Sequence, residues 1–195
     1  NTLLAEVHYA EHRGKTFYPP LIEYITGLSH YPDEPWKRRV IALVYQGADA
    51  IRTVRSIAGP TNPLEAREKR PGCIRSLGTI VPVLDAEGNL VGQRMDNLIH
   101  ASANPEDAER EIKLWFKPND IPPEMRVYPV ERSDQYYYYL GGRLSLEYEP
   151  GSVCLLAPGD SAWQSDLEAL RLLSRGEPAL CSAETVAAKY LINES

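Results

Sequence analysis

The chain has 195 residues, 43% of them hydrophobic and 25% charged, and a formal net charge of −6. That length can bury the core of one domain with an appendage, and the negative balance supplies no cationic field for a nucleic-acid backbone. No apolar run is long enough to cross a bilayer, no signal-peptide pattern opens the chain, and Cys73, Cys154 and Cys181 lack the number and spacing of a disulfide framework or zinc site, so a cytoplasmic protein without membrane or specific nucleic-acid partners is expected.

Residues 2 to about 13 read as a helix with Leu3, Leu4 and Val7 on one face and Gly14 as its stop. Phe17 to Ile25 reads as a second helix, entered through Pro19-Pro20, with Leu21, Ile22 and Ile25 inward. His30 to Arg38 is a polar, proline-bearing loop. The nearly unbroken apolar run Val40 to Tyr45, ended by Gly47, predicts a strand buried on both faces. Ala48 to Ala58 predicts an amphipathic helix with Ile51, Val54, Ile57 and Ala58 inward and Arg52 and Arg55 off the stripe. Gly59-Pro60-Thr61-Asn62-Pro63 is a rigid turn, followed by the charged stretch Leu64 to Arg70 and then Pro71-Gly72-Cys73-Ile74-Arg75.

Thr79 to Leu84 and Asn89 to Gln93 flank Asp85 to Gly88 as the strands of a hairpin. Leu98 to His100 predicts a short strand that runs into a helix. Asn104 suits that helix's cap, Pro105 its first position, and Glu106 and Asp107 the positive end of its dipole. Ala108, Ile112, Trp115 and Phe116 would form its core face, with Glu106/Arg110 and Glu109/Lys113 paired on the solvent side. Pro118, Pro122 and Pro123 mark a boundary near residue 120, dividing a domain of residues 1–125 from an extension of residues 126–195. In that extension Gln135 to Leu140 (with four consecutive tyrosines), Leu144 to Tyr148 and Val153 to Leu156 read as strands. Leu167, Leu170 and Leu173 mark a helix ending at Gly176, and Thr185 to Ile192 suits a strand or a helix.

A histidine at a strand end can be aimed into a cleft by a rigid element, which makes His100 the best candidate for a nucleophile or proton carrier. Around it the turns and element ends of the first 120 positions carry Arg55 and Arg75, the hydroxyls of Tyr9, Thr61 and Ser102, the amide of Asn97 and the ring of Phe17. Two guanidinium forks and a hydroxyl can clamp a polyphosphate, and an imidazole at the mouth of such a pocket can attack phosphorus. Taken singly, each arginine is better explained by a solvated charge and Phe17 by core packing.

Together these segments resemble the nucleoside diphosphate kinase family. Asn97-Leu-Ile-His100-Ala101-Ser102-Ala103 stands where the family has N-x-x-H-G-S-D, followed by Glu106-Asp-Ala108-Glu-Arg-Glu111-Ile-Lys-Leu-Trp-Phe116 for E-x-A-x-x-E-I-x-L-W-F. His8-Tyr9 through Phe17-Tyr18, the run from Val40 to Gly47, the stretch from Arg55 to Pro63, and Pro71-Gly72 with Ile74-Arg75 follow the family's other signatures in order. The resemblance implies an α/β fold class with a ferredoxin-like antiparallel sheet and flanking helices, plus the C-terminal extension. It implies ping-pong transfer of the γ-phosphate of ATP or another nucleoside triphosphate to a nucleoside diphosphate through a phosphohistidine at His100. Glu111 would hold the second ring nitrogen, Asn97, Tyr9 and Ser102 would complete the catalytic set, and Arg55, Thr61, Arg75 and Asn97 would bind phosphates. Phe17, with Leu21, would flank the base. Mg²⁺ would be held through the phosphates rather than by protein ligands, and a homo-oligomer, hexamer or tetramer, is expected. A kinase-like module that binds nucleotide or partners without turnover is the competing reading.

Several departures stand beside the resemblance. Ala101 and Ala103 replace a glycine and an aspartate, and the Arg75–Asn97 connection is longer than the family's by about a dozen residues. The family's opening strand, with its K-P-D lysine, does not precede Asn1. The order Ser152 to Asp160, the helix to Gly176 and Thr185 to Ser195 imitates the missing strand, helix and strand, which a permuted order or a degenerate second copy would explain, with Ala157 where the lysine belongs; an unrelated extension beside a truncated kinase domain is the alternative.

Overall fold

The structure, a computed structural model, describes residues 2–191. Among them are seven α-helices and seven strands, and every strand pairing is antiparallel, so the mixed helix-and-antiparallel-sheet class expected from the sequence is the one adopted. The chain forms two compact units, one of Leu4–Glu111 and one from Ile112 onward.

In the first unit, α1 (Thr2–His8) buries Leu4, Ala5 and His8, and it stops earlier than its pattern suggests, giving way to a 3-10 turn at Ala10–His12. Helix α2 (Tyr18–Ile25) carries Pro19-Pro20 in its first turn, capped by Phe17, and buries Ile22, with Leu21 and Ile25 half-buried. Helix α3 (Ala50–Ala58) ends at Gly59, whose φ of 87° and whose added Cβ, only 2.1 Å from Cys73 Sγ, both require glycine. The charged stretch after it is a helix, α4 (Pro63–Lys69), because Asn62 accepts the Leu64 N–H as an N-cap and Pro63 takes the first position. The predicted hairpin is present as β1 (Thr79–Leu84) and β2 (Leu90–Asp96), with Asp85 accepting the backbone N–H groups of Glu87 and Asn89 across the turn. Arg94 grips Asp96 in a two-pronged pair at 2.6 and 3.0 Å and reaches Ser29 at 3.2 Å, tying the hairpin to the segment after α2.

Two predicted strands of this unit are not formed. Val40 to Tyr45 has no ladder partner among the described residues, and it is mostly exposed rather than buried: Ile41 shows 83% of its surface and Tyr45 64%. Its apolar pattern asks for cover on both faces, and a pattern without a neighbouring strand does not make a sheet. Leu98 to His100 is irregular, because Leu98 takes a φ of 71° and the Ile99 N–H closes a three-residue turn onto Asn97 O at 2.9 Å. That turn ends the extended chain one residue after β2.

Helix α5 (Pro105–Trp115) carries residues of both units, and its cap is the expected one, Asn104 Oδ1 accepting the Asp107 N–H at 2.8 Å. Its buried positions are Glu111 and Leu114; Ala108, Ile112, Trp115 and Phe116 are half-buried. Arg110 lies against Asp107 and Glu111, one face round from the expected Glu106.

In the second unit β3 (Val130–Arg132) pairs with β7 (Ser161–Trp163), a strand the sequence pattern does not announce, and β4 (Tyr137–Leu140) lies between β5 (Arg143–Ser145) and β6 (Val153–Leu156). Helices α6 (Gln164–Ser174) and α7 (Ala183–Leu191) cover them, closing a core of Tyr137, Leu155, Leu156, Leu167, Leu170, Val186 and Tyr190. Of the segments that imitate a strand, a helix and a second strand, β6 pairs inside its own sheet and the last described element is helical; residues 192–195 of that reading lie outside the described residues.

Candidate active site

The end of α1, the turn before α5 and the second turn of α5 bring five side chains together. His100 Nε2 stands 2.9 Å from Glu111 Oε2, and Ser102 Oγ donates to the same oxygen at 2.5 Å. The Tyr9 hydroxyl reaches the other ring nitrogen, Nδ1, at 3.3 Å. His8 packs its ring edge-on against His100, with centroids 4.5 Å apart, and its Nε2 faces Glu111 Oε1 at 3.6 Å. His100 remains open, with 41% of its side chain exposed, while Glu111 is buried.

The electrostatics fix the tautomer. Burial raises the Glu111 carboxyl, but the hydrogen bonds from His100 and Ser102 outweigh it and hold the group below the usual carboxylate range. An ionised carboxylate only accepts, so His100 Nε2 carries the proton and donates it to Glu111. Burial, helped by the Glu111 charge, pushes the Tyr9 phenol up to about 12, so its hydroxyl keeps its proton and donates to Nδ1. Nδ1 is thereby the nitrogen with the lone pair, met at rest by the Tyr9 hydroxyl. His8 is held at about 4 by burial and by the neighbouring His100, against the pull of Glu111; it is neutral near pH 7, and its contact with Glu111 is not an ion pair.

The cationic residues lie on the backbone beside the histidine. Arg55 Nη1 donates to Ala101 O at 3.2 Å, and Arg75 donates to Ile99 O at 3.0 Å and Gly59 O at 2.8 Å. Burial first, and then the Arg55 charge, lower the pKa of Arg75, so the two guanidinium groups sit close enough to repel. An anion between them would relieve that repulsion. Asn97 Nδ2 donates to Thr61 O at 3.2 Å, joining the two predicted polar residues. Phe17 lies at the end of a run of ring contacts, Phe17 to His12 at 5.5 Å, His12 to Tyr9 at 6.1 Å and Tyr9 to His100 at 5.9 Å. Leu21 follows one turn later on α2, its N–H donating to Phe17 O at 3.1 Å.

His100, Glu111, Tyr9 and Ser102 thus form one contact network, with Arg55 and Arg75 bonded to the residues flanking the histidine. Thr61 and Asn97 form a separate pair on the adjoining turns. The residue missed by sequence reasoning is His8, given no role there; its position one before Tyr9, at the end of an amphipathic helix, was the available signal. Ala101 is buried, with its carbonyl turned to Arg55.

A sequence model described as nucleoside diphosphate kinase matches residues 1–121. Among curated proteins, the nucleoside diphosphate kinase of Thermococcus kodakarensis is 38% identical over 152 residues, covering 78% of this chain and 71% of that protein. That of Pyrococcus furiosus is 42% identical over 118 residues, 60% of each chain. That of Staphylococcus aureus strain JH9 is 44% identical over 118 residues, 60% of this chain and 62% of the relative. The chain therefore spans between 60% and 71% of the length of these relatives. With the family's match covering more than half of the chain and the histidine network in place, the chain belongs to the nucleoside diphosphate kinase family.

Proposed function

We propose that this chain is a nucleoside diphosphate kinase that carries the γ-phosphoryl group of a nucleoside triphosphate on His100 Nδ1 and passes it to a nucleoside diphosphate. The observation that carries this reading is the pinned imidazole: Nε2–H donates to the Glu111 carboxylate, which leaves Nδ1, held at rest by the Tyr9 hydroxyl on a partly exposed ring, as the nitrogen with a lone pair. Attack of Nδ1 on the γ-phosphorus breaks the bond to the bridging oxygen and releases the diphosphate. The ring becomes cationic as the new P–N bond forms, and the buried Glu111 charge stabilises it. Ser102 orients Glu111, and Tyr9 steers the ring.

Arg55 and Arg75, with the Thr61 hydroxyl and the Asn97 amide, would bind the phosphates, and Phe17 with Leu21 would flank the base. Stacking reads no base edge, which supports broad nucleotide use. Among the described residues the one cluster of three possible metal ligands contains two imidazoles, a poor cage for a hard cation. Mg²⁺ therefore fits as an ion bound through phosphate oxygens, where it would neutralise charge on the transferring group.

Residues 1–125 would form the kinase-like domain and 126–195 its extension. The homo-oligomer and the cytoplasmic setting belong to the same reading, the latter supported by three cysteines without a disulfide. Arg75, buried and bonded to two backbone carbonyls, favours the alternative of a nucleotide-binding module without efficient turnover.

Incubation with γ-labelled ATP decides between them. Acid-labile, base-stable label that passes to GDP, and is lost in His100→Ala, is the expected outcome. Nucleotide binding without label would favour the module, and equal label on His100→Ala would remove the site assignment.

A further inference from the structure

The carboxylate of Glu111 faces two imidazoles at once, one at each oxygen, whereas fixing the tautomer of His100 needs only one of them. We propose that His8, His100 and Glu111 form a binding site for a zinc-class divalent cation, and that its occupation switches the histidine off. The ligand atoms of the three residues lie within 4.8 Å of one another. A tetrahedral zinc ion with bonds of about 2.0–2.1 Å holds its ligands roughly 3.4 Å apart. The two imidazole–carboxylate distances, 2.9 and 3.6 Å, bracket that value, so rotations of side chains, not of backbone, would close the site. Three of the four positions would then be filled, and the exposed face of His100 leaves the fourth to water.

The donor set selects the ion. Two imidazoles and a carboxylate suit zinc, cobalt or copper, while magnesium and calcium require oxygen ligands. Neighbouring bonds hold the ligands in the way metal sites use: Ser102 orients Glu111, Tyr9 orients His100, and the His8 carbonyl accepts from Arg110. Arg110 opposes a cation here most directly, beside Arg55 and Arg75 on the backbone flanking His100. It lies 3.5 Å from Glu111 Oε1, is largely exposed and lies equally close to Asp107, so it can swing toward that partner.

The consequence rests on the reading of His100 as phosphoryl carrier. A metal bound at Nε2 drives the single ring proton to Nδ1 and removes the lone pair that faces the nucleotide; a metal bound at Nδ1 uses that lone pair directly. Either bond leaves nothing to attack phosphorus. The ion would act as an inhibitor that competes with phosphorylation, independent of the magnesium brought in on the nucleotide.

Cobalt(II) titration of the full chain tests the site without reference to activity. One Co²⁺ per chain, with the intense visible absorption of a four-coordinate ion and displaced by Zn²⁺, is expected. His8→Gln and His100→Gln should each weaken binding by at least about tenfold, and His12→Ala should leave the spectrum in place. Because His8 is buried, far-UV circular dichroism accompanies its variant, and the exposed His100 provides the variant free of folding effects. A wild-type spectrum of six-coordinate aqueous cobalt, or a four-coordinate band that survives His100→Gln, would overturn the proposal. In a second arm, Zn²⁺ added under excess Mg²⁺ should lower labelling from γ-labelled ATP at least tenfold. Wild type that never takes label without zinc would sink the phosphotransfer reading while the cobalt band leaves the metal site standing.

Discussion

Two buried carboxylates organise the two units, and they are held in opposite ways. Asp166, in the first turn of α6, receives Lys189 Nζ at 2.6 and 2.7 Å on its two oxygens and the Tyr190 hydroxyl at 3.1 Å, and both charged partners are buried. Glu111 receives the His100 ring nitrogen and the Ser102 hydroxyl on one oxygen, with Arg110 at 3.5 Å from the other and 41% of the His100 side chain exposed. The first arrangement is closed, each charge cancelled by a fixed partner. The second is looser, its guanidinium neighbour standing at 3.5 Å, and under the proposed phosphoryl transfer it would stabilise charge that develops on the ring. Burial alone does not tell the two carboxylates apart; how closely a cation is fixed to each does.

Breaking the closed pair should have the largest effect. Lys189→Met leaves Asp166 buried without its cation and should lower stability by about 3–5 kcal/mol, whereas replacing both, Lys189→Met with Asp166→Leu, should restore most of it. Urea denaturation of the two variants measures this. Labelling at His100 per folded molecule should not follow the loss. If the single substitution costs under 1 kcal/mol, the pair is far better solvated than its burial implies.

The contrast also appears in acid. His8 is held at about 4, against an ordinary value of 6.5, by burial and by His100, with Arg110 adding to the lowering and Glu111 and Asp107 opposing it. The unfolded chain therefore binds a proton on this residue, between those two values, that the folded chain does not. Its contribution is complete above pH 6.5 and is lost as the pH falls toward 4, by about 3 kcal/mol in all. Stability measured across that window for wild type and His8→Gln should show the steeper acid limb in wild type only. Parallel limbs would mean that His8 is protonated in the fold and pairs with Glu111 as a salt bridge.

What the sequence encodes follows the same division between local and distant partners. The hairpin at 79–96 was legible because its turn residues and both strands are neighbours in the chain, and the cap of α5 because Asn104 and Asp107 are three residues apart. Val40 to Tyr45 carries an equally clear apolar run, yet periodicity states only that a strand wants cover, not that a partner is within reach. Leu98 hides a tight turn inside a string of apolar residues, and nothing in a leucine announces a φ of 71°. The His100, Glu111, Tyr9 and Ser102 set was readable through its ordered motifs. The approach of His8 to Glu111 was not, because it depends on where α1 stops and packs against a helix about a hundred positions later.

The smallest expected effect separates ring steering from chemistry inside the open site. The Tyr9 hydroxyl meets Nδ1 at 3.3 Å, a long hydrogen bond, and the protonated phenol must release that lone pair before Nδ1 can reach phosphorus. The bond therefore holds the resting ring and cannot persist in the transition state. Tyr9→Phe should slow labelling by two- to tenfold, corresponding to about 0.5–1.4 kcal/mol for a neutral hydrogen bond lost to misorientation of the ring. Stability should change by no more than about 1 kcal/mol, since the aromatic packing against His8 and His12 is kept. Rapid-mixing measurement of label on His100 reads the rate directly. A hundredfold loss would mean that the hydroxyl acts on the transferring phosphoryl group itself, and the asymmetry between Glu111 as the charged partner and Tyr9 as a steering contact would have to be redrawn.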